Sequence, residues 1–239
     1  MLNYKLWGFE ASVMAFIAVV FLLLNGNTEV FDSNYGLLIQ SFRGPGLNTL
    51  TELVTYIGNW QTITIICILL VAFEKTRKKY GLPVTAVAIL SSVANKIIKV
   101  LVARPRPDAA NMLIEQGGYS FPSGHTTTAF AVFLLLAYIV YKEVKDPKKK
   151  IPGMIGLILL PIVIGLSRVY LGVHYASDVF AGMWLGIAAF CLVGMFVYPY
   201  KREKEKWKEA QRKKEEAKRA KLETLEVEVV DSMEDVKKG

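Results

Sequence analysis

Six stretches of this 239-residue chain are so long and so apolar that water cannot be their solvent. A helix that crosses the hydrocarbon core of a bilayer needs about 20 mostly apolar residues, with every backbone N–H and C=O bonded inside the segment. The candidate runs are Leu6 to Leu24, Trp60 to Phe73, Leu82 to Val102, Thr126 to Tyr141, Ile151 to Leu166 and Phe180 to Tyr198. Hydrophobic residues make up 53% of the chain, more than a soluble domain of this length covers with polar surface. The expected architecture is all-α: an integral membrane bundle of six transmembrane helices over residues 1–200, then a charged tail over 201–239, partly helical or disordered. The second and fourth runs are short, so residues 52–59 are expected to extend the second and the Pro-Ser-Gly-His turn to lie at the mouth of the fourth. Glu10 interrupts the first run and no small-x-small cleavage site follows it, so it reads as a span and not as a leader. Cys67 and Cys191 fall inside apolar runs and read as packing residues.

Charge orients such a bundle. With six spans, both termini and the loops after spans two and four share one face, and that face receives all but six of the 29 Lys and Arg. The exceptions are Arg43, Lys96, Lys99, Arg104, Arg106 and Arg168. By the positive-inside rule both termini are expected in the cytoplasm. The net charge of +8 is then mainly a topology signal. The tail mixes both signs and lacks interleaved aromatics, so no nucleic-acid partner is expected. Within it, Glu209 and Lys213 stand at helical i, i+4 spacing, and Trp207 offers an interfacial anchor should the tail dock on anionic lipid.

Three segments share the opposite face: "NKIIKVLVARPRPD" ending span three, "FPSGH" opening span four, and "GLSRVYLGVHYASD" between spans five and six. Ionisable residues at the ends of spans mark functional sites, because their burial is costly. His174 and Asp178, at i, i+4, are expected on one face of the helix that opens span six. There the carboxylate orients one ring nitrogen and makes the other more basic, as a nucleophile or general base requires. The blander alternative is a histidine satisfied by a neighbouring acid. Ser123 is expected to cap the fourth helix, Gly124 to let backbone approach a ligand, and His125, with an ordinary pKa of ~6.5, to give a proton to a departing oxygen. Lys99 supplies a point charge, and Arg106 and Arg168 supply planar forks that match phosphate oxygens. Pro105 and Pro107 hold Arg106 out of helical geometry and turn it toward this pocket. Such a set fits a phosphoryl group better than a hard metal ion. Lys96 reads as a snorkelling side chain, and Arg104, one step out of the motif spacing, as a weaker lipid-phosphate contact. The segment from Asn34 to Gly58 reads as an interfacial stretch shaping lipid access, or as ordinary packing.

Lys99 with six residues between it and Arg106-Pro107, then Pro122-Ser123-Gly124-His125, then Ser167-Arg168 with five residues between it and His174 and three between His174 and Asp178, resemble the three signature motifs of the type 2 phosphatidic acid phosphatase superfamily. The resemblance covers residues 1–200 and is strongest toward bacterial phosphatidylglycerophosphatase B and undecaprenyl pyrophosphate phosphatases. It implies hydrolysis of a lipid phosphate or pyrophosphate at the extracytoplasmic membrane face, with His174 as nucleophile, Asp178 orienting it and His125 as the acid and later the base. It implies Lys99, Arg106, Ser123, Gly124 and Arg168 on the phosphate, and no metal or other cofactor. The expected partners are a membrane lipid substrate and the bilayer itself. Two rivals remain at this level: metal chemistry through His125, His174 and Asp178, and a transport or lipid-binding protein that uses the same basic pocket without hydrolysis.

Overall fold

A computed structural model describes residues 4–197 and 209–219, and the described residues contain helices and connecting loops but no strand. The helices are α1 (Tyr4–Leu24), α2 (Glu29–Gln40), α3 (Pro45–Ile57), α4 (Trp60–Ala72), the short α5 (Glu74–Thr76), α6 (Leu82–Val102), α7 (Gly124–Glu143), α8 (Pro147–Tyr170) and α9 (Ala176–Val197). A single π-helical turn, Arg77–Gly81, joins α5 to α6, so that Glu74–Val102 forms one continuous helical segment with an apolar stretch long enough to span a bilayer. Among the described residues, five helical segments are long and apolar enough to cross a membrane, and the α3–α4 pair makes a sixth if taken together. The chain is a multi-pass membrane protein.

That pair departs from the sequence expectation. Residues 52–59 do not extend the second run as one straight helix, because α3 ends at Gly58 and α4 restarts at an angle of 43°. The Asn59 side chain accepts the Trp60 N–H (3.1 Å), a capping bond that begins a new helix instead of continuing the old one. A Cβ at Gly58 would stand 2.6 Å from Ile164 Cγ2, so this bend also lets the chain lie against α8. The stretch from Asn34 to Gly58, read as interfacial or as ordinary packing, falls in two helices, α2 and α3, both packed on α8.

Helix α7 is the hub, touching α6, α8 and α9, with α1 against the far side of α9. Half of α7 is buried, whereas α1 turns Trp7, Met14, Ile17 and Phe21 outward as a lipid-facing helix does. Two glycines on α9 set the closeness of the central pair. A Cβ at Gly182 would lie 2.8 Å from the Ser123 carbonyl oxygen, and one at Gly186 2.5 Å from that of Thr127. This Gly-x-x-x-Gly stripe brings two backbones into contact where no apolar solvent effect drives helices together. Polar groups fix the neighbouring seam, where Asn95 on α6 donates to the Pro122 carbonyl (3.1 Å) and the Thr127 hydroxyl (3.0 Å).

Helices α6 and α8 end, and α7 and α9 begin, at the same end of the bundle. At the other end, Lys5 donates to the Gly194 carbonyl (3.2 Å) and Lys79 pairs with Glu143. The contacts divide the chain into Met1–Val197 and Tyr198–Gly239. In the second unit residues 209–219 are helical, with Lys213 paired to Glu209 (3.1 Å) at the spacing read from the sequence. The expected boundary at 200/201, Trp207 and the acidic end of the tail lie outside the described residues.

Candidate active site

The connection after α6 starts with Ala103 in the left-handed region (φ 49°), its N–H bonded to the Lys99 carbonyl (3.1 Å). That residue stops the helix, and each arginine that follows precedes a proline, which disfavours helical backbone. Arg104 and Arg106 therefore leave in different directions. Arg106 turns toward His174: its Nη1 donates to the Val173 carbonyl (2.6 Å) and lies 3.4 Å from His174 Nε2, while its Nε donates to the Gly117 and Gly118 carbonyls (3.0 Å each). Lys99 donates to the Tyr119 (2.7 Å) and Ser120 (3.1 Å) carbonyls and is within electrostatic reach of Arg106, Asp178 and Arg168.

Arg168, in the last turn of α8, is 1% exposed. Its Nη1 donates to the Thr55 hydroxyl (2.7 Å) and its Nη2 to Gln116 Oε1 (2.9 Å), and its buried Nε has no partner among the described residues. A buried guanidinium held only by neutral acceptors is costly, and an anion offsets that cost. Neither Thr55 nor Gln116 stands out in the sequence, since a lone threonine and a loop glutamine carry no spacing signal.

His174 does not sit on α9. The helix begins at Ala176, and His174 lies in the turn that leads into it, so the expected i, i+4 helical face is corrected to a capping arrangement. Asp178, in the first turn, accepts the Tyr175 N–H (3.0 Å) on Oδ2, the reach-back of a capping box, and the same oxygen accepts His174 Nδ1 (3.2 Å). An ionised carboxylate only accepts, so the proton is placed on Nδ1 and the lone pair on Nε2, toward Arg106. The turn is tight: Gly172 has φ +76°, and a Cβ there would lie 2.8 Å from Arg43 Nη2. Arg43 in turn donates to the Tyr170 carbonyl through Nε (2.9 Å) and Nη2 (2.7 Å), clasping the end of α8.

Burial outweighs the gain in basicity that Asp178 gives His174. Burial is the largest influence and lowers its pKa to about 4; Asp178 opposes this, and Arg168 and Arg106 add to the lowering. The ring is therefore neutral at ordinary pH, which is the form a nucleophile needs.

His125, in the first turn of α7, is half-buried and in electrostatic reach of Arg168, His174, Arg106 and Lys99. Ser123 occupies the N-cap position but makes no side-chain bond to the helix amides; its Oγ accepts the Thr126 hydroxyl (2.9 Å) instead. Its backbone N–H donates to the Asp178 carbonyl (3.0 Å) and so ties the starts of α7 and α9 together. Arg104 corrects the reading of a lipid-phosphate contact, because it is spent on two carboxylates, Asp178 and Asp32 (2.7 Å each). Lys96 is exposed on the outer side of α6, beside Ile97 and Val100. Among the described residues, no three His, Cys, Asp or Glu side chains group as metal ligands.

The pattern of the PAP2 superfamily matches residues 80–203, a stretch that contains every motif residue from Lys99 to Asp178. Phosphatidylglycerophosphatase B of Bacillus subtilis (strain 168) is 33% identical over 169 residues, covering 69% of this chain and 82% of the relative. The lipid A 1-phosphatase of Rhizobium etli is 28% identical over 211 residues, 76% of this chain and 84% of the relative. The crystal structure of the transmembrane PAP2-type phosphatidylglycerolphosphate phosphatase from Bacillus subtilis aligns with a TM-score of 0.69 at 31% identity, covering 80% of this chain and 98% of that one. That of Aquifex aeolicus LpxE aligns with a TM-score of 0.56 at 28% identity, covering 66% and 91%. The match in sequence, motif order and helical framework shows that the chain belongs to the PAP2 superfamily.

Proposed function

We propose that this protein hydrolyses a lipid phosphate monoester or pyrophosphate through a phosphohistidine at His174. The observation that carries the reading is the orientation of His174, with Nδ1 on Asp178 and Nε2 beside the Arg106 guanidinium. In the first step Nε2 forms a bond to phosphorus as the ester or anhydride P–O bond breaks. The departing oxygen takes the proton of a protonated His125, a form that the negative charge of a bound phosphate stabilises. Lys99, Arg106 and Arg168, with the N–H groups at the start of α7, bind the equatorial oxygens as charge develops. In the second step neutral His125 takes a proton from water, the hydroxide attacks phosphorus, the P–N bond breaks and inorganic phosphate leaves. The imidazole of His174 is then restored.

A lipid substrate is supported by a cavity of about 870 Å³ between α4, α6 and α7. Gly124, His125 and Asn95 stand at its polar part, and Ile63, Ala88 and Val93 belong to its apolar wall. A head group at His125 and an apolar tail along the helices match this division. Phosphatidylglycerol phosphate and undecaprenyl pyrophosphate are the substrates we favour. The concentration of Lys and Arg at the end away from the site supports a cytoplasmic position for both termini and an extracytoplasmic site.

The test is a phosphate-release panel over phosphatidylglycerol phosphate, undecaprenyl pyrophosphate, phosphatidic acid and diacylglycerol pyrophosphate in detergent, with chelator present. Release that persists in chelator, acid-labile phosphate trapped on His174, and loss of both in His174→Ala support the mechanism. Wild-type release in His174→Ala refutes it. Lipid binding without release of inorganic phosphate favours a binding or transport role.

A further inference from the structure

Behind the proposed nucleophile lies a buried chain of charges that the three motifs do not include. Asp32, in the first turn of α2, accepts the Ser177 N–H on Oδ1 (2.7 Å) and the Ser177 hydroxyl on Oδ2 (2.8 Å). The same Oδ2 accepts Arg104 Nη2 (2.7 Å). Through Nη1, Arg104 reaches the Ser177 hydroxyl (2.8 Å) and Asp178 Oδ1 (2.7 Å), and its guanidinium carbon stands 3.9 Å from the centroid of the Tyr175 ring. Asp178, fully buried, thus has one oxygen on Arg104 and the other on Tyr175 N–H and His174. No rotation of that carboxylate is free.

The charges count as well as the geometry. Asp178 and Arg104 alone sum to zero and leave little negative potential for His174. Asp32 returns the cluster to a net charge of minus one, facing the ring that gains positive charge when Nε2 binds phosphorus and Nδ1 keeps its proton. Arg104 also holds its charge firmly: burial lowers its pKa, but Asp178 and Asp32 outweigh burial and raise it above its usual value.

We propose that Arg104 and Asp32 are positioning residues for the reaction: Arg104 locks the Asp178 carboxylate against His174, and Asp32 holds Arg104 and keeps the cluster negative. This extension rests on the assignment of His174 as nucleophile. The alternative is a polar staple that merely fastens α2 to the start of α9.

The full-length enzyme in detergent, assayed with the phosphatidylglycerol phosphate or other panel lipid it hydrolyses, separates the two. Arg104→Met is expected to lower kcat about 10- to 100-fold with KM within about threefold, as loss of an orienting partner does. Arg104→Lys, which keeps the charge and one donor, is expected to recover about half of that loss on a logarithmic scale. The double variant Asp32→Asn with Arg104→Met is expected to be no slower than Arg104→Met, because Asp32 acts through the arginine. The pH profile of kcat/KM supplies a readout that a staple does not move. His174 is faced by Asp178 from α9, Arg168 from α8, Arg106 from the segment after α6 and, within electrostatic reach, His125 from α7. Removing Arg104 leaves the field of Asp178 undiluted, so the acid limb moves to higher pH; Asp32→Asn strengthens the hold of Arg104 on Asp178, so the limb moves to lower pH. Wild-type kcat in Arg104→Met, or losses in both variants with one unmoved pH profile, overturns the proposal. His174→Ala and Asp178→Asn serve as controls: if they retain wild-type release, the nucleophile assignment itself falls, and if they lose it while Arg104→Met does not, only the positioning role falls.

Discussion

Positive charge is handled in opposite ways on the two sides of His174. Behind the ring, Arg104 lies between two carboxylates and is neutralised. In front of it, Lys99, Arg106 and Arg168 are bonded to carbonyls, a hydroxyl and a side-chain amide. A cation paired with buried acids has its electrostatics satisfied and serves to hold geometry. One that has only neutral acceptors keeps its field, and three together attract an anion. Two arginines separated by a single proline thus stand in opposite surroundings, one paired with buried acids and one left with neutral acceptors.

The contrast breaks most visibly at Arg168. Arg168→Met is expected to reduce kcat/KM by about 10³-fold, the scale of losing a buried donor to transition-state oxygens, and Arg168→Lys to restore little because the planar fork is lost. Phosphate-release kinetics within tenfold of wild type in Arg168→Met would show that the front cations do not share the work as described. A smaller effect is expected from Gln116→Ala, which removes one neutral acceptor from that guanidinium: a loss of about tenfold, matching a hydrogen bond to a charged group, seen in the same assay.

The pH dependence sharpens the comparison. With its pKa lowered to about 4, His174 in the free enzyme stays neutral as pH falls from 7 to 5, so the acid limb of kcat/KM due to this ring is expected near pH 4 and not near 6.5. The sign for stability follows: the unfolded chain takes up that proton near ~6.5 and the folded chain only near 4, so stability from this ring is present above the higher value and is lost as pH falls toward the lower. Thermal unfolding in detergent between pH 7 and 4 measures it. The smallest catalytic effect is expected at Gly186→Ala, away from the site. Crowding of the Thr127 carbonyl is expected to cost about 1–3 kcal/mol, read as a lowered unfolding midpoint.

Much of the site was legible because its residues announce themselves locally. Pro122 to His125, and the spacing from Arg168 through His174 to Asp178, bring unusual polar residues to the ends of apolar runs, where burial makes them costly. The same local reasoning placed His174 inside the helix that opens span six, whereas it lies two residues before α9, since i, i+4 spacing describes a helix and a capping turn equally well. It also expected Asp178 to make the imidazole more basic, which burial outweighs. The second span misled because hydropathy measures length and not direction. Only the Asn59 cap and the packing of Gly58 on Ile164 show the bend.

By itself the sequence determined that the chain enters a bilayer as helices, roughly where most of them run, and which polar residues carry the motifs of the PAP2 superfamily. Those properties come from backbone satisfaction in hydrocarbon and from the cost of buried charge, and both act over short stretches. Tertiary structure decided that Arg104 belongs behind His174 with Asp32, and that Thr55 and Gln116 hold Arg168. Those contacts join residues 52 to 113 positions apart, and their pairing depends on how helices pack, which no local pattern encodes.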